Sequence, residues 1–131
     1  MFLLDTNVVS ELRKVGDGKA DVNVTTWLSR RSAADFYLSV VTVMELELGI
    51  LLMTRRDRVQ GERLQTWMNH HVLPEFAERT LPVDTSVALR CAQLHVPDPR
   101  PERDALIAAT ALVHCMTVVT RNVTDFAPTG V

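Results

Sequence analysis

The chain opens on a short apolar run, Phe2-Leu3-Leu4, that stops at Asp5-Thr6-Asn7 and gives way to Val8, Val9 and Leu12 at helical spacing. An apolar run without alternation reads as a strand buried on both faces. Such strands belong to parallel sheets covered by helices on either side, so this feature constrains the fold more than any other. It also sets a carboxylate where a buried strand becomes a helix. In open α/β sheets that carboxyl end is where ligands bind. Asp is equally a common helix cap, and the stretch alone leaves both roles open.

Helical and strand patterns alternate along the rest of the chain. Gly16-Asp17-Gly18 marks a loop, and Val24, Trp27 and Leu28 define a helix within 20–31. Phe36 to Val41 is rich in aromatic and β-branched residues and predicts a second strand. Thr42-Val43-Met44-Glu45 has the spacing of a capping box, which predicts a helix through Leu46, Leu48, Ile50, Leu51 and Met53, ending near Thr54. Arg55 to Arg58 reads as a charged connector, 59–72 as a helix closed by Leu73-Pro74, and 79–83 as a weak strand with a proline. Asp84 or Ser86 caps a helix to about His95. No helix crosses Pro97-Asp98-Pro99-Arg100-Pro101. Glu102 to Cys115 is apolar beyond its first turn and predicts a buried helix, and Met116 to Thr120 a further strand.

This alternation predicts an α/β class protein, with helices on both faces of a short parallel central sheet, in one domain spanning 1–131. No apolar run is long enough to span a bilayer, and no basic region precedes the first one, so the expected location is the cytoplasm. Cys91 and Cys115 lie in apolar helical stretches and read as free core thiols in a reducing compartment. Neither belongs to a CxxC pair, which argues against zinc. The net charge of -2 excludes a general nucleic-acid binder. The fourteen basic residues are nevertheless almost all arginine, the side chain suited to bidentate phosphate contact, so any contact with nucleic acid should be local.

Parallel strands place their carboxyl ends on one edge of the sheet. Asp5 and Asp125 each follow a strand, Glu45 lies slightly further into a helix, and Asp104 opens the helix that leads into the last strand. Converging there, the four would repel one another unless a cation intervened. Oxygen-only ligands select Mg2+ or Mn2+, and such an ion can activate water for displacement at phosphorus.

The stretches around these acids are Leu3 to Glu11, Thr42 to Gly49, Asp104 to Ala111 and Val119 to Phe126. In this order they resemble the motifs of PIN domains, specifically the VapC or FitB-like toxins of bacterial type II toxin–antitoxin pairs. The resemblance covers nearly the whole chain and implies a three-layer α/β/α fold. It implies an Mg2+- or Mn2+-dependent endoribonuclease, commonly a homodimer, inhibited by an antitoxin and bound to operator DNA only through it. It also implies that Asp5, Glu45, Asp104 and Asp125 form the acidic metal site, with Asn7 and Thr120 orienting the ligands or the attacking water. Arg13, Lys14, Arg100, Arg103 and Arg121 lie near the acids in sequence and are the candidate RNA contacts. Two features depart from the pattern or blur it. Family members continue past the closing Phe-x-x-x-Gly-Val with another strand, whereas this sequence stops at Val131. Glu45 would also be explained by its capping box alone.

Two rivals are weighed against this reading. A haloacid-dehalogenase-type phosphatase also uses an Asp after its first strand. It requires a second Asp two residues on, where Asn7 stands, and a downstream lysine, of which there is none after Lys19. A non-catalytic partner in an antitoxin–DNA regulatory complex would not require the full acid set. The wide apolar faces of 43–53 and 64–72 predict a dimer interface.

Overall fold

The computed structural model describes residues 1–14, 21–122, 126 and 129–130. Its centre is a parallel sheet of β1 (Phe2–Leu4), β2 (Phe36–Ser39), β3 (Thr80–Leu81) and β4 (Thr117–Val119), in the order β3-β2-β1-β4. Phe2 pairs with Phe36 on one side and Thr117 on the other, and Leu38 pairs with Thr80. The first strand of the chain is thus an interior strand, which accounts for its lack of polar residues.

Consecutive residues of β1 serve opposite faces. Leu3 packs with Val87, Cys91 and Leu94 of α6 (Thr85–Leu94) and with Ala105, Ala108 and Ala109 of α7 (Glu102–Val113). Leu4 packs with Val8 and Val9 of α1 (Thr6–Lys14), Leu28 of α2 (Val22–Ser29) and Leu46 and Ile50 of α3 (Val40–Arg56). Met68 and Val72 complete that second core. The expected three layers are present, with both faces of the sheet covered. The alanines of α7 are buried and let that helix lie close to the strands.

Several boundaries differ from the sequence expectations for local reasons. The second strand ends at Ser39, whose hydroxyl accepts the Val41 N–H at 3.0 Å and starts α3 there. Thr42 and Glu45 therefore lie inside the helix, and the expected capping box is not formed. The α3 helix continues to Arg56, and Asp57 both ends it and caps α4 (Arg58–Trp67) by accepting the Gln60 N–H at 3.1 Å. Gly61 permits the two helices to approach closely, since a Cβ there would sit 2.6 Å from Thr54 Cα. Pro74 does not end the following helix directly. The chain widens into a π-helical turn at Met68–Val72 and then forms the short α5 (Leu73–Glu75). A wider turn relieves the clash of a proline ring with the carbonyl four residues earlier.

Cys91 is buried as expected, and burial pushes its thiol pKa up, with Glu102 adding to the effect. Cys115 is not a core thiol. It is exposed at the turn after α7 with φ of 55°. That turn is tied by Met116 N–H to Ala111 O at 2.8 Å, a helix-ending geometry that favours glycine. No helix of the described residues is long and apolar enough to cross a membrane.

Candidate active site

Asp5 is the residue after β1 and only 5% exposed. Its backbone N–H extends the ladder to Val119 O at 2.9 Å. Its Oδ1 accepts the Thr6 N–H and its Oδ2 accepts the Thr120 hydroxyl, each at 2.8 Å. Two donors from two elements therefore fix the plane of this carboxylate. Because β1 and β4 are parallel neighbours, the residues immediately after them meet at the same edge, and this meeting is a consequence of the register.

Thr6 carries the connection to α3. Its hydroxyl donates to Glu45 Oε1 at 2.8 Å, with Thr42 Oγ1 3.4 Å away. Asp5 and Glu45 are thus joined through a single residue, the backbone N–H of Thr6 holding one acid and its side chain the other. The other Glu45 oxygen, Oε2, lies 3.8 Å from Arg103 Nη1. Arg103 belongs to the first turn of α7, so that turn comes up to the edge where Asp5 and Glu45 stand. Asp104 is the next residue in the same turn and is half-buried. Asp125 lies outside the described residues. Among the described residues, no group of three or more His, Cys, Asp or Glu side chains is positioned to hold a metal ion.

Asn7 and Thr120 both belong to this edge. Thr120 Oγ1 accepts the Asn122 N–H at 2.9 Å while donating to Asp5, and Asn7 Oδ1 accepts the Arg121 N–H at 3.3 Å. The five candidate RNA contacts do not form one patch. Arg121 Nη1 lies 2.9 Å from Glu11 Oε1, and its Nη2 lies 3.5 Å from Asp21 Oδ2. Lys14 Nζ is 3.0 Å from the same Glu11 oxygen. Arg100 closes the end of α6, its Nε donating to Leu94 O at 3.1 Å. Arg13 faces α4, beside Gln60, Arg63 and His71. Arg103 stands against a candidate acid, Glu45.

Thr6 and Glu11 had no functional role in the reading of the sequence. Glu11 is 4% exposed, yet it is a carboxylate in the middle of a helix. Its Oε2 accepts the Asp21 N–H at 2.9 Å, and Oε1 faces both Lys14 and Arg121. The Asp21 backbone bond holds its pKa below the ordinary value of 4.5, Lys14 and Arg121 act in the same direction, and burial acts against them. A carboxylate on the inner face of an otherwise amphipathic helix was the available signal, since such a group must find cations or donors. An apolar cavity of about 510 Å³ lies between α2 and β4, lined by Val24, Trp27, Val118, Thr120 and Arg121 among others. It adjoins the acidic edge through Thr120 and Arg121.

Residues 2–127 match the model of the PIN domain. The toxin FitB of Neisseria gonorrhoeae is 38% identical, over 96% of this chain and 91% of FitB. The VapC ribonuclease Y4jK of Sinorhizobium fredii is 34% identical, over 99% of this chain and 93% of that protein. The crystal structure of FitAcB from Neisseria gonorrhoeae superposes with a TM-score of 0.89 at 36% identity, covering 100% of this chain and 94% of the other. FitAB bound to an IR36 DNA fragment superposes at 0.88 with 37% identity, covering 100% and 92%.

Proposed function

Because this chain belongs to the PIN-domain family, within its group of FitB- and VapC-like toxins, we propose that it is a metal-dependent endoribonuclease serving as the toxin of a type II toxin–antitoxin pair. The observation that carries this reading is the Asp5–Thr6–Glu45 connection at the carboxyl edge of the sheet. Two carboxylates held in fixed orientation by a shared residue are more than a helix cap requires. They stand where an α/β sheet binds its ligands.

The donor set fits a hard divalent cation. It is oxygen-only, and Mg2+ is commonly held by one or two carboxylates, with water and substrate phosphate supplying the other positions. Asp5 and Glu45 would hold the ion, with Asp104 and Asp125 as further ligands, and Mg2+ or Mn2+ is the proposed cofactor. When bound, the ion would supply an activated water and neutralise charge on the phosphodiester. Thr6 and Thr120 keep the Asp5 carboxylate in one orientation. Arg103 lowers the negative potential beside Glu45 and is the foremost phosphate contact, with Arg13, Lys14 and Arg100 contributing over a wider footprint, whereas the Arg121 guanidinium is taken up by Glu11 and Asp21. Neutralised phosphates release counterions, so binding should weaken with salt.

The proposed partners are a cognate antitoxin, operator DNA reached only through it, and a second copy of the chain. Val40, Met44, Leu48, Leu51 and Leu52 are exposed along α3, a stripe of apolar side chains suited to an interface. RNA as substrate sets the proposed location in the cytoplasm. The test is cleavage of RNA by the purified, antitoxin-free protein. Activity should vanish in EDTA, return with Mg2+ or Mn2+, and be absent in Asp5→Asn. Full activity in EDTA would refute the mechanism.

A further inference from the structure

We propose that Glu11 and Arg121 form a clamp that positions Asp5, acting from the middle of α1 through the turn that follows β4. This role rests on the nuclease reading above and deepens it. Three contacts join that turn to the start of the chain. Thr120 Oγ1 donates to Asp5 Oδ2, the Arg121 N–H donates to Asn7 Oδ1, and Arg121 Nη1 pairs with Glu11 Oε1 at 2.9 Å. They fall on three residues spread along α1 and its N-terminal boundary, roughly 9 Å from first to last at the rise of an α-helix. The turn is therefore held at both ends, and a rotation that carried Thr120 away from Asp5 would have to break the pair at the other end.

Glu11 is built for this task. Among the described residues, Asp5 and Glu11 are the buried carboxylates, so both acids of the first helix segment are attached to the same turn. Glu11 is held from several directions, by Lys14, by Arg121 and by the Asp21 N–H, and Asp21 in turn caps α2 through the Asn23 and Val24 N–H groups. A buried carboxylate with this many donors stays charged and immobile. Arg121 Nη2 also reaches Asp21, so its guanidinium spans both acids. The arginine next to the site thus uses its charge to hold the turn, and the Asp5 carboxylate is the group that benefits.

The test measures Mn2+ affinity by calorimetry without RNA, beside cleavage kinetics, for wild type, Glu11→Gln, Arg121→Met, Arg121→Lys and the Glu11→Gln/Arg121→Met double variant. Arg121 is half-exposed, so its variants carry the test should Glu11→Gln not fold. Each single neutral variant should bind Mn2+ about tenfold more weakly, the low end for residues that support a metal ligand. The double variant should be no worse than either single one, because both remove one interaction. Arg121→Lys should recover part of the loss, and the KM for RNA at saturating Mn2+ should be unchanged. A merely stabilising pair would lower the melting temperature and leave Mn2+ affinity at the wild-type value, and that result overturns the clamp. So does a raised KM for RNA with a shallower salt slope at wild-type Mn2+ affinity, the signature of a phosphate contact. Wild-type protein that binds no Mn2+ overturns the nuclease reading and this role together.

Discussion

The Asp5 carboxylate is held by the hydroxyl of Thr120, a residue 115 positions away in the chain, at 2.8 Å. The contact follows from the pairing of β1 with β4 and fixes the acid on which the proposed chemistry depends. Asp5→Asn removes the charge and leaves one face of the amide with a donor where Thr120 needs an acceptor. The expected cost in stability is about 1 kcal/mol, that of a neutral hydrogen bond. Cleavage should fall about a hundredfold or more, as when preorganised charge is lost from a reacting centre. Glu45→Gln and Asp104→Asn should lose cleavage likewise. Melting temperature and RNA cleavage, each with and without Mg2+, check this; unchanged cleavage with lowered melting would return the acids to a capping role.

Thr6 is the test of the link between the two acids. Thr6→Val keeps the shape and removes the donor to Glu45 Oε1. Cleavage should drop about tenfold, as for a residue that orients a ligand, and Thr6→Ser should restore most of it. Equal losses in the Val and Ser variants would show that packing of the methyl group, and not the hydroxyl, is what matters.

How much of this was legible in the residues themselves differs from element to element. The break at Asp5 announced both the interior strand and the carboxyl edge, because an acid directly after an unbroken apolar run marks the point where a buried strand leaves the core. The proline cluster at 97–101 bounded α7 correctly, since its rings and missing N–H groups let no helix through. The Thr42–Glu45 spacing misled, because Val40 and Val41 have strand propensity, and Ser39 could take over capping only once tertiary packing let those valines enter the helix. Losing the capping box strengthens the case for Glu45, whose carboxylate is instead turned to Thr6. Cys115 looked like a core residue by hydropathy, and only the backbone conformation after α7 shows why it faces outward. The Glu11–Arg121 pair was unreadable, since two residues 110 apart meet only through the strand order. Asp125 lies outside the described residues, and its role as a ligand stands as proposed.

Cys115→Gly should stabilise the fold. A left-handed residue with a Cβ costs roughly 1–2 kcal/mol, and the extra flexibility of glycine in the unfolded chain returns part of this. The expected gain is below about 1 kcal/mol, read as a small rise in melting temperature with cleavage unaltered. A fall in melting temperature would mean that contacts of the Cys115 side chain outweigh the backbone strain.

The stripe on α3 predicts self-association. Leu48→Glu combined with Leu52→Glu should convert a dimer to a monomer in sedimentation at micromolar concentration and leave the helical circular dichroism intact. Wild-type protein that sediments as a monomer would remove the basis for the interface.

Acid should act on Glu11. Its folded-state pKa is lowered, so the stability it contributes is present in full above the ordinary glutamate range and is lost as pH falls through the depressed folded value. Unfolding in urea followed from pH 6 downward should show wild type losing stability below about pH 4.5 more steeply than Glu11→Gln. Parallel profiles would mean that the pairing with Asp21, Lys14 and Arg121 is not kept in solution.

The strand order β3-β2-β1-β4 has a consequence for the timing of biosynthesis. During synthesis β1 must wait for β4 before it has a neighbour on its second side, and Asp5 must wait for Thr120. A nascent chain that has made residues 1–116 already carries Asp5, Glu45 and Asp104 but lacks Thr120, the second of the two donors that fix the Asp5 carboxylate. With Asp5 in its proposed role, such a topology would delay nuclease competence until Thr120 has been made.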